Sequence, residues 1–402
     1  MISEMLTLPF YQELTQELLT IYGSPLYVYN GDDLRQTIQQ ISQAFPYPNT
    51  QFHFASVTNG NVALLKIFQA EGWGLHANTP GDIYLGLKAG FSPDAIVYSG
   101  SNLNREEMQQ VIHWGVKTLN LDSLEQLKLC CEVLENTTEN KENFKFGLRL
   151  NLPEITGESR IGVNPKEFPD AIAICHKFGL KLSGLHFYRG TGTNATKAFT
   201  QVIDAIIHCS QQLPNWQYLD FGGGFGYPYQ HNGVAFDWEL FGREITNSIT
   251  KLNRKIELII EPGRAAIAGC ATLLAKVVAV KWQGEKQIVG VDTTVANLSV
   301  PSVHGGYREI VSFKEEKLAQ KYITDVCGNT TYSRDYLGKN CQLPALEIGD
   351  IIAILDVGAY GYAMSSHFLH RPKPAEVLLE NQQHRLIRQR EDYSVLLTNQ
   401  LF

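Results

Sequence analysis

The sequence predicts an α/β protein in which a (β/α)8 barrel is followed by a C-terminal antiparallel β domain. From about residue 24, short β-rich runs alternate with helical patterns at a spacing of roughly 20 to 40 residues, which indicates βα units and a parallel sheet. Eight such units follow the first strand, as a closed barrel requires. After Arg264 the β-rich runs are separated by short turns only, which indicates an antiparallel domain. An open, doubly wound sheet is the alternative architecture for the first part.

The strands predicted for this first part are rich in β-branched and aromatic residues. They cover residues 25–30, 51–56, 73–77, 95–100, 117–122, 144–151, 182–188, 218–223 and 256–262. Helices are predicted between them at 61–71, 80–89, 104–114 and 165–178. Asn104 begins the third of these helices, because asparagine caps a helix well and Glu106 and Glu107 suit its positive N-terminal end.

The β domain is predicted from four runs, at residues 271–282, 286–294, 316–328 and 349–360. We expect the N-terminal helix and strand to pack with this domain, so that both chain ends build it. The chain is therefore divided into an N-terminal segment at 1–28, a barrel at 29–264 and a β domain at 265–402.

The composition is that of a globular protein, with 402 residues, 44% of them hydrophobic, and a net charge of −7. Its basic residues are scattered, which argues against nucleic acid or a membrane surface as a partner. The seven cysteines show no metal-ligand spacing and indicate free thiols in a reducing compartment. The N-terminus lacks the basic start of a signal peptide, and no apolar run approaches the roughly 20 residues that span a bilayer. We therefore expect a cytoplasmic protein.

Three segments carry groups that suit chemistry. In the first, Gly222, Gly223 and Gly224 follow a strand, and glycines let consecutive backbone N–H groups close on a phosphate. A tight barrel turn would explain these glycines equally well. In the second, Glu261 and Arg264 end the next strand, where the active side of a barrel lies, although a structural ion pair is the alternative. The third segment covers residues 356–362 in the β domain and contains Tyr360.

With the segments 22–30, 159–164, 184–191 and 370–377, these three match a known family in order and spacing. From about Tyr22 to Val377 the sequence resembles the fold-type III pyridoxal-phosphate-dependent amino acid decarboxylases, of the diaminopimelate, ornithine and arginine type. The resemblance implies the alanine-racemase-like fold, which is a barrel plus a β domain, and a head-to-tail homodimer with shared sites. It also implies pyridoxal phosphate as the cofactor.

The resemblance assigns roles to particular residues. Glu261 would face the pyridine nitrogen, where a carboxylate keeps the ring protonated and able to accept electrons. The groups that would surround the phosphate are Gly190, Thr191, Gly222, Gly223, Gly224, Arg264 and Tyr360.

The lysine that bonds the cofactor is missing from the matching position. Family members carry it at the end of the second strand, in a Tyr-Ala-x-Lys context, whereas this chain has Val57 after Phe54, Ala55 and Ser56. An isopropyl group cannot form an imine. The nearest amine, Lys66, lies about two turns into the following helix, too far from the strand end. We therefore expect a divergent member without a covalent lysine–cofactor imine.

Groups that the family uses for proton transfer and substrate binding are also changed. The positions concerned are Thr331 for its cysteine, Tyr332 for its glutamate, His76 for the acid of the third strand, Tyr188 for the imidazole that stacks on the ring, Val300 for a distal arginine and His304 for a tyrosine. Tyr188, His76, Tyr332 and His304 are the candidate proton carriers, although the two histidines could simply line the pocket. Arg189, Arg334 and Asp335 are candidate substrate groups, and the two arginines suggest a large or anionic substrate.

Three functions compete. The first is an enzyme that uses noncovalent pyridoxal phosphate, or pyridoxamine phosphate, on an amino acid or an amine-containing metabolite. The second is a non-catalytic binder of such a phosphate, or a regulatory subunit. The third is an ordinary diaminopimelate decarboxylase, against which Val57, Thr331, Tyr332 and Val300 argue together. Retention of the ring and phosphate groups favours the first.

Overall fold

The computed structural model describes residues 10–138, 140–190, 192–230, 232–314 and 320–402. Their contacts divide the chain into two compact units. The β unit comprises the described residues of 1–34, 228–233 and 267–402, and the barrel unit comprises those of 35–227 and 234–266. The first helix, α1 (Gln12–Tyr22), and the first strand, β1 (Leu26–Asn30), belong to the β unit.

Eight parallel strands close into a barrel in the barrel unit. They are β2 (Thr50–Ala55), β3 (Gly74–Ala77), β4 (Ile96–Tyr98), β5 (Thr118–Leu121), β6 (Lys145–Arg149), β7 (Leu182–His186), β8 (Tyr218–Asp220) and β9 (Glu257–Ile260). All residues of β3, β4, β5, β7 and β8 are buried, as expected for parallel strands covered on both faces. Because β2 pairs with β9 as well as with β3, the predicted barrel is confirmed and the open sheet is wrong.

Helices follow the barrel strands in sequence. They are α2 (Gly31–Gln43), which precedes β2, then α3 (Val62–Ala70), α4 (Pro80–Ala89), α5 (Arg105–His113), α6 (Leu124–Glu135), α7 (Pro153–Thr156), α8 (Phe168–Lys177), α9 (Thr196–Thr200), α10 (Ile203–Ser210), α11 (Trp238–Thr250) and α12 (Arg264–Ile267). The predicted start of α5 is confirmed, because the Asn104 side chain accepts from the backbone N–H of Glu107 and Glu107 returns the bond. Among the described residues, no helix has both the length and the apolar character needed to cross a membrane.

The β unit is built around one nine-stranded sheet. Besides β1 it contains a short helix, α13 (Val300–Val303), and the strands β10 (Ala271–Gln283), β11 (Lys286–Val291), β12 (Ile310–Ser312), β13 (Tyr322–Cys327), β14 (Tyr336–Leu343), β15 (Ile351–Ile354), β16 (Ala375–Glu380) and β17 (Gln383–Arg388). Most pairs are antiparallel, as predicted, but β1–β16 and β11–β13 are parallel, so the sheet is mixed. The sequence patterns did not predict β12, β14, β16 or β17. Part of the predicted run 316–328 lies outside the described residues.

Both chain ends contribute to the core of the β unit. Strand β1 pairs with β10 on one side and with β16 on the other. Leu26 and Val28 of β1 are fully buried, in one apolar cluster with Leu18 of α1, Leu274 of β10 and Val377 of β16. Burying these side chains contributes roughly 1.5–3 kcal/mol each to folding. This stabilisation keeps the N-terminal strand paired with strands that are far from it in the sequence.

Candidate active site in the barrel unit

Buried polar side chains gather at the carboxyl ends of the barrel strands. His76 lies near the end of β3, His186 and Asp220 are the last residues of β7 and β8, and Glu261 directly follows β9. Arg149, the last residue of β6, is half-buried beside them. The carboxyl ends of barrel strands meet at one end of the barrel, where the active sites of such barrels lie.

His76, His186 and Glu261 form a tight group that we call the His–His–Glu cluster. The Oε2 atom of Glu261 is 3.3 Å from Nε2 of His186 and 3.5 Å from Nε2 of His76. The Oε1 atom of Glu261, both ring nitrogens of His76 and Nδ1 of His186 have no hydrogen-bond partner among the described residues. Buried polar atoms are nearly always paired in folded proteins, so this cluster has the features of a ligand site.

Burial sets the charge of the cluster. It raises the pKa of Glu261 to about 7, against the lowering effects of Asp220 and Arg149. Burial lowers the pKa of His186 to about 4 and lowers that of His76 well below its usual value, with His186 and Arg149 as further causes for His76. Both imidazoles are therefore neutral near pH 7 and offer lone pairs.

Asp220 is held in place by a buried hydrogen-bond chain. Its carboxylate accepts from the backbone N–H of Gly222 at 3.0 Å and from the Asn120 side chain at 2.9 Å. The Asn120 oxygen in turn accepts from the Tyr218 hydroxyl at 2.8 Å. This chain fixes the start of the glycine segment relative to β8.

The glycines at 222–224 are required by close packing. A Cβ atom at Gly222 would overlap the carbonyl oxygen of Phe187, and one at Gly223 would lie 2.6 Å from the carbonyl oxygen of Glu261. A Cβ at Gly224 would lie 2.5 Å from the carbonyl oxygen of Gly190. The tight-turn explanation is thus physically sound, and the same packing brings this segment against those that follow β7 and β9.

Arg264 lies beside the segment that follows β7. A Cβ built on Gly192 would be 3.0 Å from Nε of Arg264. Gly190 has a φ of +116°, and apart from its own atoms and its chain neighbours no described residue has an atom within 4 Å of the position its Cβ would take. An arginine and an open glycine backbone thus stand together next to the 222–224 turn, which suits an anionic group. Thr191 lies outside the described residues.

The other predicted residues of the barrel unit have different surroundings. Val57 lies in a short 3-10 turn after β2 and is 45% exposed. The guanidinium of Arg149 lies 5.1 Å from the centre of the Tyr188 ring. Arg189 donates to the carbonyl oxygens of Ala198 in α9 and Ile155 in α7, and it therefore links these two short helices.

The remaining candidates lie in the β unit. His304 is exposed and ends α13, and Tyr332 packs edge-on against Phe368 with ring centres 5.4 Å apart. Asp335 is buried and accepts hydrogen bonds from Thr294, Val295 and Thr330, so its carboxylate organises a turn. Arg334 is exposed and donates a hydrogen bond to the carbonyl oxygen of Ser302. Tyr360 lies in the loop after β15 and has a φ of +59°.

The sequence patterns missed two members of the site, His186 and Asp220. His186 stands in the 184–191 segment, and its signal was a polar residue at the end of an otherwise apolar strand. Asp220 opens the glycine segment and is likewise the last residue of its strand. In a barrel, a polar residue at this position points to the site.

Comparisons with known proteins agree with this architecture. Residues 31–268 match the family model of the pyridoxal-dependent decarboxylases, pyridoxal binding domain. The diaminopimelate decarboxylase of Methanothermobacter thermautotrophicus is 31% identical, over 96% of this chain and 93% of its own. That of Aquifex aeolicus is 28% identical, over 95% and 93%. The structure of the Helicobacter pylori enzyme complexed with L-lysine superposes with a TM-score of 0.85 at 27% identity, over 96% of this chain and 98% of that one. The chain therefore belongs to the pyridoxal-phosphate-dependent decarboxylase family.

Proposed function

We propose that this protein binds pyridoxal phosphate noncovalently and uses it on an amino acid or an amine-containing metabolite. The proposed site is at the carboxyl ends of the barrel strands, which we call the barrel mouth. The observation that carries the proposal is the absence of lysine from the sequence that follows every barrel strand. The segments between each strand and its next helix are 56–61, 78–79, 99–104, 122–123, 150–152, 187–195, 221–237 and 261–263, and none contains a lysine. The groups suited to phosphate and ring are nevertheless present.

The described residues fit the phosphate of this cofactor. Arg264 supplies a permanent positive charge beside Gly192, and Gly190, two residues earlier, has no side chain to fill the space beside the 222–224 turn. The turn at 222–224 adds the backbone N–H groups of Gly223 and Gly224 at the same end of the barrel, since that of Gly222 donates to Asp220. Arginine and exposed N–H groups together are the usual protein partners of phosphate oxygens.

The described residues also fit the pyridine ring. The Oε1 atom of Glu261 is buried and has no hydrogen-bond partner in the described chain, so it is available to a ring nitrogen. When bound, the cofactor supplies an electron-accepting ring that eases bond cleavage at the substrate carbon next to the amine. Glu261 orients the ring, and Tyr188, half-buried beside Arg149, is the proposed proton carrier on this unit.

Binding without a covalent bond can be tested by mass. Chelator-treated protein is incubated with pyridoxal phosphate, and ultrafiltration measures the bound cofactor. The complex is then reduced with borohydride, and the intact mass of the protein is measured by mass spectrometry. We expect one cofactor per chain and no added mass. Replacing Arg264→Gln should abolish retention, whereas Arg243→Gln, an exposed arginine of α11, should not. Covalent attachment to a wild-type lysine, or no retention at all, would refute the proposal.

A gain-of-attachment variant sharpens this test. Val57→Lys places an amine where the family carries its lysine. Because Val57 is 45% exposed, the longer side chain can extend from the surface without a steric clash. We expect this variant to gain the mass of one reduced cofactor after borohydride treatment. The matched control is Val278→Lys on β10, because Val278 is 47% exposed. Equal labelling of both variants would contradict a cofactor position near Val57.

Turnover is a separate question from binding. The names of the relatives make diaminopimelate the first amino acid to test, followed by other amino acids, with release of CO2 as the readout. Release that Arg264→Gln abolishes would support an enzyme, and complementation of a lysine auxotroph would identify diaminopimelate as the substrate. Binding without turnover would favour the non-catalytic alternative. A homodimer is part of the proposal, and analytical ultracentrifugation measures it.

A further inference from the structure

The His–His–Glu cluster is the one group among the described residues in which three histidine, cysteine, aspartate or glutamate side chains could share a metal ion. Its three ligand atoms lie within 4.8 Å of one another, and all three residues are buried. Two imidazoles and one carboxylate are a ligand set that binds zinc and other divalent first-row metals. The family resemblance accounts for Glu261 alone, whereas His76 replaces an acid.

The distances suit a small cation. Zinc holds nitrogen and oxygen ligands at about 2.0–2.2 Å, so two ligand atoms at tetrahedral positions are about 3.4 Å apart. Oε2 of Glu261 is 3.3 Å from Nε2 of His186 and 3.5 Å from Nε2 of His76. All three ligand atoms lie within 4.8 Å of one another, so small side-chain movements would bring them to one ion.

The protein alone does not satisfy the cluster. Among the residues that the structure describes, buried His76 finds no hydrogen-bond partner for either ring nitrogen, and an unpaired buried polar group carries a cost in folding stability. A single hydrogen bond between His186 and Glu261 leaves that cost in place. A cation bound by all three side chains would remove it.

The surrounding charge also favours a divalent cation. Arg149 interacts electrostatically with the carboxyl groups of Glu261, Asp122 and Asp220. Three acidic groups therefore face one guanidinium, and a bound divalent ion would stabilise their ionised forms. A buried charge is tolerated when it is paired in this way.

We propose that His76, His186 and Glu261 bind one divalent metal ion, with zinc as the reference ion, at the carboxyl ends of β3, β7 and β9. The site uses Oε2 of Glu261 and leaves Oε1 free for a ring nitrogen. The metal site goes beyond the proposed cofactor chemistry and does not depend on it.

The first experiment is calorimetric titration of chelator-treated protein with zinc chloride, without pyridoxal phosphate. We expect one zinc per chain with a micromolar or lower Kd. His76→Gln and His186→Gln should each weaken binding at least about 10-fold, because each removes one ligand. His113→Gln, which removes an exposed imidazole from the end of α5, should leave binding unchanged. Absence of zinc binding, or equal binding by wild type and His76→Gln, would overturn the inference.

The second experiment uses the wild-type protein, so its result does not depend on whether a variant folds. Copper(II) bound in place of zinc should show, in electron paramagnetic resonance, hyperfine splitting from two imidazole nitrogens. A spectrum without nitrogen splitting would overturn the inference. Pyridoxal phosphate retention is measured separately on metal-free protein, so failure of cofactor binding with intact zinc binding would refute the proposed function alone.

Discussion

His53 is a buried histidine outside the candidate site. It lies on β2, is 3% exposed, and has Nδ1 3.5 Å from the carbonyl oxygen of Leu75. Burial lowers its pKa to about 4, so the folded protein keeps this ring neutral while the unfolded chain titrates near 6.5. Between these two values the unfolded state binds more protons. Stability from this residue is therefore lost as the pH falls through that window.

His53→Gln should weaken the acid sensitivity of the fold. Lowering the pH from 7 to 5 should reduce the unfolding free energy of the wild type by about 2 kcal/mol through His53. The variant should lack this part of the reduction. Urea unfolding at the two pH values measures it, with exposed His113→Gln as the control that keeps the wild-type pH dependence. Identical pH dependence in wild type and His53→Gln would show that the folded ring titrates normally.

Single residues differ in how well sequence predicts their role. Glu261 and Arg264 were predicted at the end of a strand, and the structure places both at the barrel mouth. His76 was predicted as a proton carrier or as pocket wall, yet its surroundings are the carboxylate of Glu261 and a second imidazole. The sequence could not reveal that pairing, because His186 is 110 residues away along the chain and only barrel closure brings the two strands' ends together.

At the scale of elements, the glycine turn after β8 depends on the strand next to it. Gly222 and Gly179 have nearly the same φ, +66° and +68°, but a Cβ would overlap the Phe187 carbonyl at Gly222 and would meet no atom within 4 Å at Gly179. The backbone strain of an alanine is therefore similar at the two sites, and only Gly222 adds a steric clash.

Gly222→Ala should destabilise the protein by about 3 kcal/mol more than Gly179→Ala, because the β7 and β8 ends must separate to admit a methyl group. Chemical denaturation of both variants measures the difference. Equal losses would mean that the turn shifts freely and that packing against Phe187 does not require glycine.

Element type was easier to predict than element length. The strand predicted at 218–223 ends at Asp220, because Asp220 then accepts from the N–H of Gly222 and the backbone leaves the extended form. The strand predicted at 95–100 is also shorter, Ile96–Tyr98, and its bonding to β3 ends with the hydrogen bond from the N–H of Ser99 to the carbonyl oxygen of Ala77. Hydrophobic patterns indicate burial. Residues that are buried but lie beyond the end of the sheet are therefore predicted as strand from the sequence.

At the scale of the whole molecule, the β unit depends on a strand from the far end of the chain. Leu26 is fully buried, lies opposite Leu274 on one side and Ala375 on the other, and belongs to the apolar core. Loss of its side chain would leave a cavity between segments that are distant in sequence.

Leu26→Ala should cost about 3 kcal/mol of unfolding free energy, in the range for a large-to-small core substitution. Leu386→Ala on β17, where the side chain is 41% exposed, should cost under about 0.5 kcal/mol. Thermal and chemical unfolding compare the two. A small loss at Leu26 would mean that the N-terminal strand is not needed for the stability of the β unit.

The sequence by itself determined the fold class and the residues suited to phosphate and ring, because strand–helix alternation and glycine turns are local patterns. It also determined that Val57 stands where the family carries its lysine. Only the tertiary structure decided the mixed pairing of the β sheet and the meeting of His76, His186 and Glu261. Both depend on contacts between segments far apart in the chain, and such contacts leave no periodic signal in the sequence.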